Sequence, residues 1–552
     1  MAAQSDITIF KARTILTMNP SQPQATHVAV KDGRILGVGD VQNLKGWGPA
    51  TLDDRYANCV LMPGLVEAHS HLPEGGMWMY VYVGYYDRYG PDGRLWKGLT
   101  SYDAVCGRLR EAMAGMEEGK ILMGWGFDPI YFPDGGRMSI HELDAVSNTR
   151  PVVVLHASLH LLNTNSVMLA KAGIDRDCDV EGVSRFDNGE PTGELCEMAA
   201  MFPVMRMIGN PFFKTIGMSE QAIRLFGKVA QLSGVTTATD LVNELDLDGL
   251  ETLSRITSEF DYPVRVLPAA AIMAFPAGVT ACLDRLECVQ SLGNDKLRFG
   301  IVKLVIDGSI QGFTARVRWP GYYNGSPNGI WVIPPESLDS MVMDFHKAGL
   351  QMHLHTNGDE ATEVAINAIE KALQAYPRAD HRHTLQHCQM ADIAQFRRMA
   401  KLGICVNLFA NHLYYWGDAH YEKTMGPDRA NRMDACGTAL RMGIPLAVHS
   451  DAPITPMAPM FTAWCAVNRL TATGRVLGEK ERITVEQALY AITLGAAYTL
   501  HLDQEIGSIE IGKRADFCVL HDNPLEMKPQ DLKDARILGT IIGGLPLAKT
   551  GA

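Results

Sequence analysis

The sequence has few features of a secreted, membrane-bound or nucleic-acid-binding protein. Residues 1–10, MAAQSDITIF, lack the basic start and long apolar stretch of a signal peptide. No apolar run approaches the roughly 18 residues that a membrane span needs. No cluster of lysine and arginine offsets the formal net charge of -12, which disfavours binding to nucleic acid or to an anionic membrane surface.

The cysteines also follow no disulfide or redox pattern. There are eleven of them, an odd number at irregular spacing, and none forms a C-x-x-C pair. Such usage is typical of reduced thiols. We therefore expect a cytoplasmic protein whose partner is a small-molecule substrate, with a homodimer left open.

The two ends of the chain read as strands of one small domain. Short apolar runs broken by glycine and polar turns fill residues 1–62 and recur in residues 502–552. Between two of these runs, Asp32-Gly33 is a strong hairpin signal. We predict a composite β-sandwich domain built from residues 1–62 and 502–552.

The middle of the chain, residues 63–501, alternates β-branched runs with helical stretches, the pattern of a parallel sheet. We predict an α/β fold, a (β/α)8 TIM barrel. The gap between the first two strands is too long for one helix, so residues 73–223 are predicted to be an inserted cap. The eight predicted strands are Gly64–Ala68, Val235–Asp240, Val264–Ala269, Leu297–Ile306, Gln351–Leu354, Thr384–His387, Ile404–Leu408 and Pro445–His449.

A His-x-His motif at the end of the first predicted strand is the sharpest local signal. Strand alternation places His69 and His71 on one face, pointing into the barrel. Two neutral imidazoles suit a borderline divalent cation such as zinc. Taken alone the motif is modest evidence, because many histidines are hydrogen-bonded core residues.

Further chemistry-bearing residues lie at the ends of other predicted strands, namely Lys303, His355, His387 and Asp451. Barrels of this type place their active sites at the carboxyl ends of the strands. A buried ammonium without a partner is costly, and burial lowers the pKa of a lysine. The neutral amine of Lys303 could capture carbon dioxide as a carbamate that bridges two metals.

The order His-x-His, Lys, His, His, Asp resembles the binuclear branch of the amidohydrolase superfamily. The chain is most similar to the subgroup of YtcJ-like proteins and N-substituted formamide deformylases (amidohydrolase family 3). Matching motifs run nearly from end to end. They include Pro63-Gly64, His160 with Asn165-Ser166, Pro191-Thr192-Gly193, Asp307-Gly308-Ser309, Ser450-Asp451-Ala452-Pro453 and Gly507-Ser508-Ile509-Glu510-Ile511-Gly512.

The resemblance implies a role for each matching residue. His69, His71 and Asp451 would hold one divalent metal, and His355 and His387 a second, with carboxylated Lys303 between them. The expected metal is zinc, with manganese, iron or cobalt as alternatives. Metal-activated hydroxide would attack a carbonyl carbon, with Asp451 as the proton carrier and His160 as an aid to the developing oxyanion.

The implied reaction is hydrolysis of a non-peptide C–N bond in an N-acyl or N-formyl amine, an anilide or a lactam. An esterase-type hydrolase uses the same chemistry and stays open. Deaminases of the superfamily typically carry a glutamate three residues after the fifth-strand histidine, where this chain has Gly358. A non-catalytic scaffold would be expected to have lost ligands, which this sequence retains.

Two positions depart from the subgroup at the site itself. Gln386 stands where a glutamate commonly precedes the histidine, and His449 stands where a glycine commonly precedes Ser-Asp. Candidate substrate-binding residues are His412, Asp128 and Trp78. Trp78 equally fits the aromatic core of the insertion.

Overall fold

The computed structural model describes residues 7–132, 137–208 and 216–548. Parts of the predicted terminal domain (1–6 and 549–552) and of the predicted insertion (133–136 and 209–215) lie outside these described residues. Among the described helices, none combines the length and the apolar character that crossing a bilayer requires.

Eight parallel strands form the central sheet, one at each position that the sequence predicts. Neighbouring strands pair in chain order, and a parallel bridge between Ser70 and Ala452 links the end of the eighth strand to the end of the first. This arrangement confirms a TIM-barrel-like α/β fold. The strands are Leu65–Glu67, Val235–Asn243, Arg265–Ala271, Ile301–Val305, Gln351–Thr356, Thr384–His387, Cys405–Leu408 and Leu446–Val448.

Helices cover the outside of this sheet and bury its apolar outer face. The helix Glu220–Leu232, for example, turns Phe226 and Ala230 towards the barrel. The barrel helices are Glu220–Leu232, Leu247–Thr257, Val279–Val289, Pro335–Lys347, Asp359–Ala375, Ile393–Leu402, Asn411–Ala419, Gly426–Ala430, Cys436–Arg441, Pro459–Asn468, Val485–Ala491 and Leu494–Tyr498.

Short helical turns complete the connections. The 3-10 turns are Pro129–Tyr131, Ile272–Ala274, Gln290–Leu292, Glu479–Glu481 and Pro529–Asp534, and a π-helical turn spans His420–Thr424. Close packing of the first two barrel strands explains the Pro63-Gly64 motif. A Cβ on Gly64 would overlap the side chain of Thr236, so only glycine fits there.

Both ends of the chain enter one eight-stranded sheet. Its strands are Ile7–Leu16, Gln24–Lys31, Arg34–Gly39, Ala50–Asp53, Val60–Pro63, Phe517–Leu520, Ile537–Ile542 and Leu545–Ala548. A helix, Val41–Lys45, lies between the third and fourth of these strands. The predicted hairpin is present, with Asp32 at φ 51° and Gly33 at φ 75° between paired Lys31 and Arg34. A separate two-sheet sandwich domain stays a prediction.

The long segment after the first barrel strand has its own sheet of six strands. These are Val81–Tyr82, Leu122–Phe127, Val152–His156, Leu161–Thr164, Val183–Arg185 and Pro191–Cys196. A two-stranded ribbon, Arg88–Tyr89 with Leu95–Trp96, lies beside it. The segment's helices are Pro73–Met77, Tyr102–Met113, Ile140–Asp144, Ser166–Ala172 and Glu197–Ile208.

Candidate metal centre

The site is built where the first and eighth barrel strands end. The backbone N–H of His71 donates to the carbonyl oxygen of Ala452 at 2.8 Å, and that of Asp451 donates to the carbonyl oxygen of His69 at 3.1 Å. These reciprocal bonds fix the two segments against each other. As a result, the His-x-His motif faces Asp451 although hundreds of residues separate them in sequence.

The side chains of His69, His71 and Asp451 form a compact group. The Oδ1 atom of Asp451 lies 3.2 Å from Nε2 of His69 and 3.0 Å from Nε2 of His71. One atom from each residue falls within 4.8 Å of the others, a spacing that a metal ion can bridge. One carboxylate oxygen facing two imidazole nitrogens is the donor set of a borderline divalent cation.

A buried glutamine sets the orientation of His69. The Oε1 atom of Gln386 lies 2.7 Å from Nδ1 of His69 and accepts a hydrogen bond from Nδ2 of Asn407 at 3.0 Å. An oxygen acceptor assigns the proton of His69 to Nδ1, which leaves Nε2 as the ligand atom. The Nε2 atom of Gln386 also donates to Nδ1 of His353 at 2.7 Å. Gln386 therefore orients one predicted ligand and anchors a neighbouring histidine.

Lys303 projects from the fourth barrel strand into the same space. Its side chain is buried, with Nζ 3.4 Å from Nε2 of His69, and it forms no ion pair with any described residue. Burial lowers the pKa of Lys303 to about 7. A substantial neutral fraction at physiological pH is the condition that carbamate formation needs.

Three more imidazoles stand beside this group. The ring centroids of His387 and His355 are 4.5 Å apart, and those of His387 and His449 are 5.0 Å apart. Burial lowers the pKa of His355 to about 3 and that of His387 well below its usual value, so both rings are neutral. The Nδ1 atom of His387 is buried without a hydrogen-bond partner among the described residues. Neutral rings with unpaired nitrogens fit a bound cation.

Backbone strain is concentrated at two of these positions. His387 and the following Cys388 have φ values of 64° and 50°, and Asp451 has a φ of 55°. Non-glycine residues rarely adopt this left-handed conformation, and each instance costs on the order of 1–3 kcal/mol. The strain turns the side chains of His387 and Asp451 towards each other, with Nδ1 and Oδ2 4.0 Å apart.

The structure therefore brings the six predicted ligands together at one end of the barrel. They are His69, His71, Lys303, His355, His387 and Asp451. Their roles as ligands stay predictions. The unpaired nitrogens and the mixed histidine–carboxylate donor set show that these residues fit a divalent metal.

His160 reaches the site from the inserted segment. Its Nδ1 lies 3.0 Å from the Oε2 atom of Glu197, and Leu159 and Glu197 both have positive φ values, 61° and 63°. Although burial opposes it, the Glu197 carboxylate raises the pKa of His160, and the charge of Asp451 adds to the effect. The predicted contact of His160 with substrate stays a prediction.

His412 is held in a chain of buried rings. Its Nδ1 lies 2.8 Å from Nε2 of His420 and its Nε2 lies 3.1 Å from Oε1 of Gln311. The imidazole also stacks on Trp416 with a centroid separation of 4.6 Å. With both nitrogens occupied, the residue can reach a substrate only by exchanging one of these partners.

The other two candidates for substrate binding have structural contacts. Asp128 accepts hydrogen bonds from the backbone N–H of Ile130 and from Nε1 of Trp416, both at 3.1 Å. Trp78 packs against Trp125 at a centroid separation of 5.1 Å and donates to Oε1 of Glu74 at 3.2 Å. These contacts fit the alternative that Trp78 belongs to the aromatic core of the insertion. Whether either residue touches substrate is untested.

Two buried acidic side chains that sequence reasoning did not single out support the site. Oδ1 of Asp240 lies 3.7 Å from Nδ1 of His71, on the side opposite to Asp451. Glu67 accepts from the backbone N–H of Ser450 at 3.1 Å and from its hydroxyl at 2.7 Å. Asp240 was detectable, because it is an acidic residue at the end of the second predicted strand, Val235–Asp240. The contact between Glu67 and Ser450 forms only when the barrel closes, so the sequence alone does not predict it.

Comparison with known proteins gives a consistent result. A sequence model described as Amidohydrolase family matches residues 57–548. The putative amidohydrolase YtcJ of Bacillus subtilis is 27% identical over 96% of this chain and 97% of its own length. The N-substituted formamide deformylase of Arthrobacter pascens is 24% identical, with full coverage of both chains.

A solved structure shows the same fold. It is an uncharacterized metal-dependent hydrolase from Pyrococcus horikoshii OT3, which superposes with a TM-score of 0.72 at 20% identity. The match covers 95% of this chain and 99% of that one.

Proposed function

Because the chain belongs to the amidohydrolase family, we propose that it is a metal-dependent hydrolase that cleaves a non-peptide C–N bond of a small molecule. The substrates would be N-acyl or N-formyl amines, anilides or lactams. The observation that carries the proposal is the position of Asp451, whose Oδ1 faces Nε2 of both His69 and His71. The name of the formamide deformylase supports the choice of bond class.

The protein's part in the reaction centres on Asp451. Although burial opposes it, the neighbouring His69 and His71 hold the pKa of Asp451 well below its usual range, so the side chain is a carboxylate that can accept a proton. Bound divalent cations would lower the pKa of the attacking water and polarise the carbonyl. Asp451 takes the proton as the new C–O bond forms and delivers it to the leaving nitrogen as the C–N bond breaks.

His160 would complete the site from the insertion. The Glu197 carboxylate beside its Nδ1 favours the protonated ring, which can donate from Nε2 to the carbonyl oxygen of the substrate. This role requires the insertion to lie over the mouth of the barrel. The walls of the substrate pocket would then come from a segment unrelated to the barrel strands.

Lys303 would supply a bridging ligand. Its neutral Nζ would form an N–C bond to carbon dioxide and release a proton, which would give a carbamate with two oxygen donors. The absence of any ion pair to Lys303 among the described residues supports this step, because a permanent ammonium would need one. Two divalent ions, zinc foremost, would share the carbamate.

A position next to the fifth strand argues against deamination. A Cβ on Gly358 would overlap the carbonyl oxygen of Arg316, so no carboxylate can occupy this position. The glutamate that deaminases of the superfamily place there is therefore excluded on steric grounds.

The decisive experiment combines metal analysis with a substrate panel. Purified protein should contain close to two equivalents of divalent metal, and the reconstituted enzyme should hydrolyse members of a panel of N-acyl and N-formyl amines, anilides, lactams and esters. Full activity in a preparation freed of metal would overturn the mechanism. Turnover of esters alone would move the assignment to an esterase.

The carbamate has its own test in Lys303→Ala. We expect loss of activity with partial rescue by a short carboxylic acid that occupies the vacated space. Lys296→Ala is the matched control, because burial also lowers the pKa of Lys296, to about 8, and its Nζ donates to three backbone carbonyls at the other end of the barrel. Unchanged turnover in Lys303→Ala would show that no bridge is needed.

A further inference from the structure

One buried imidazole has no partner for either of its ring nitrogens among the residues that the structure describes. Both ring nitrogens of His449 are buried without a hydrogen bond, and no other histidine in the described part of the chain has two such nitrogens. A neutral imidazole has one donor and one acceptor to satisfy. Buried polar groups in native proteins are nearly always paired, so an unpaired ring points to a missing ligand.

The neighbours of His449 fix the plane of its ring. It is sandwiched between His69, at a centroid separation of 4.5 Å and an interplanar angle of 18°, and Phe409, at 4.8 Å and 23°. Stacking satisfies the two faces of the ring and leaves its edges, which carry the nitrogens, for another partner. Packing alone therefore explains where the ring lies and does not explain its nitrogens.

The nitrogens of His449 lie close to those of the metal centre. One ring nitrogen each of His449, His69 and His387 falls within 4.8 Å of the others. Zinc lies about 2.0–2.1 Å from a histidine nitrogen, so ligand atoms this close can share one ion after small side-chain movements.

His69 cannot bind one metal with His71 and Asp451 and a second metal with His387 and His449. Its Nδ1 is occupied by Gln386, and its Nε2 lies 3.2 Å from Oδ1 of Asp451. A single nitrogen binds one cation, so His69 belongs with His71 and Asp451. The remaining imidazoles, His387 and His449, then form a separate pair, with ring centroids 5.0 Å apart. The ring of His355 lies on another side of His387, at a centroid separation of 4.5 Å.

We propose that His449 is a ligand of the second metal, next to His387. This inference rests on the proposed metal-dependent function and extends its ligand set by one residue. A third imidazole would favour a borderline ion such as zinc at this position over a hard cation such as magnesium.

The test uses His449→Phe, which keeps the stacked ring and removes both nitrogens. Metal content is measured by elemental analysis, metal affinity by competition with a chelator, and thermal unfolding with and without metal. We expect loss of about one of two equivalents, or an affinity more than about 100-fold weaker, since loss of an outer partner alone costs 10- to 100-fold. The metal-free variant should unfold no earlier than the metal-free wild type, because two unpaired polar atoms are gone.

His383→Phe is the matched control. His383 is as buried as His449. It directly precedes the sixth barrel strand, whose opposite end carries His387, and hydrogen bonds satisfy both of its nitrogens. This variant should keep both metals and lose stability when metal-free, the opposite pattern. Should His449→Phe fail to fold, His449→Ala with and without added imidazole replaces it, and restoration of the lost metal by imidazole supports the ligand.

The outcomes separate this inference from the proposed function. If His449→Phe binds two equivalents of metal with unchanged affinity, His449 is not a ligand, and the proposed metal-dependent hydrolase is unaffected. Wild-type protein that takes up no zinc after reconstitution would overturn both.

Discussion

The two ends of the barrel each contain a cluster of buried histidines, and the clusters differ in how their nitrogens are satisfied. At the amino end, Nε2 of His383 faces Nδ1 of His346 at 2.8 Å, and Nε2 of His346 faces the carbonyl oxygen of Tyr376 at 2.7 Å. His381 is likewise bonded, to the carbonyl oxygen of Leu402 and to the backbone N–H of His383. At the carboxyl end, His387 and His449 have ring nitrogens without a partner in the described part of the chain.

The difference shows how to separate structural from functional histidines at equal burial. Each ring of the amino-end cluster has a donor and an acceptor that the chain itself provides, which fixes one neutral tautomer throughout. The carboxyl-end rings are equally desolvated, yet their hydrogen-bonding capacity is left for something that the chain does not supply. Burial alone would rank the two clusters alike. Satisfaction of the polar atoms distinguishes them.

The largest predicted effect is on catalysis at the carboxyl end. Asp451→Asn should lower kcat/KM by about 1,000-fold or more, because a proton acceptor that acts with the other site residues is removed. Its thermal stability should fall less than that of the control, since an amide still accepts from His71. Asp516→Asn is the control at the other end, where Asp516 pairs with buried Arg265 at 2.7 Å.

For the control we expect the reverse, with stability lost and kcat/KM of the folded fraction kept. Steady-state kinetics and urea unfolding of both variants check the pair. If Asp451→Asn and Asp516→Asn lost similar amounts of activity, the carboxyl end of the barrel would not be the catalytic end.

A smaller effect is predicted for the amino-end cluster. His383→Ala should lower the free energy of unfolding by about 3 kcal/mol, since it opens a cavity and leaves Nδ1 of His346 and the backbone N–H of Met352 unpaired. Metal content and kcat of the folded protein should stay at wild-type values. Urea unfolding followed by fluorescence measures the free energy of unfolding. Elemental analysis measures the metal content, and initial rates give kcat. Loss of metal here would show that the amino-end histidines also serve the centre.

The sequence predicts the barrel and its site better than it predicts the surroundings. All eight barrel strands are found because β-branched runs and turn residues are local signals, and His69, His71, His387 and Asp451 lie at or just after strand ends, where a barrel places its active site. Lys303 lies in the middle of its strand. The same logic could have found Asp240. It could not show that Gln386 orients His69, because that contact joins residues 317 positions apart.

Other expectations stay predictions because nothing in the fold tests them. The substrate contacts of His412, Asp128 and Trp78 depend on how the insertion meets a ligand, and the cytoplasmic location and a homodimer depend on partners outside the chain. His449 illustrates a further limit. Its departure from the subgroup is visible in the sequence, but only the structure shows that its nitrogens are unpaired.

The smallest effect concerns acid, and it tests whether the rings of the amino-end cluster are neutral. Burial lowers the pKa of His346 and His381 and holds that of His383 well below its usual value. These rings are neutral in the folded protein, whereas in the unfolded chain they take up protons below about pH 6.5. Their contribution to stability is therefore complete above that pH and is lost as the pH falls, with a slope of about 1.4 kcal/mol per pH unit for each histidine that titrates only in the unfolded chain.

Urea unfolding of metal-free protein between pH 7.5 and 5 measures this slope, in a range chosen to span roughly one unit either side of the histidine pKa. His383→Ala should reduce the slope. An unaltered slope in His383→Ala would mean that the amino-end rings are already protonated when folded. Their closed network of neutral tautomers would then be wrong, and unpaired nitrogens would no longer mark the functional end of the barrel.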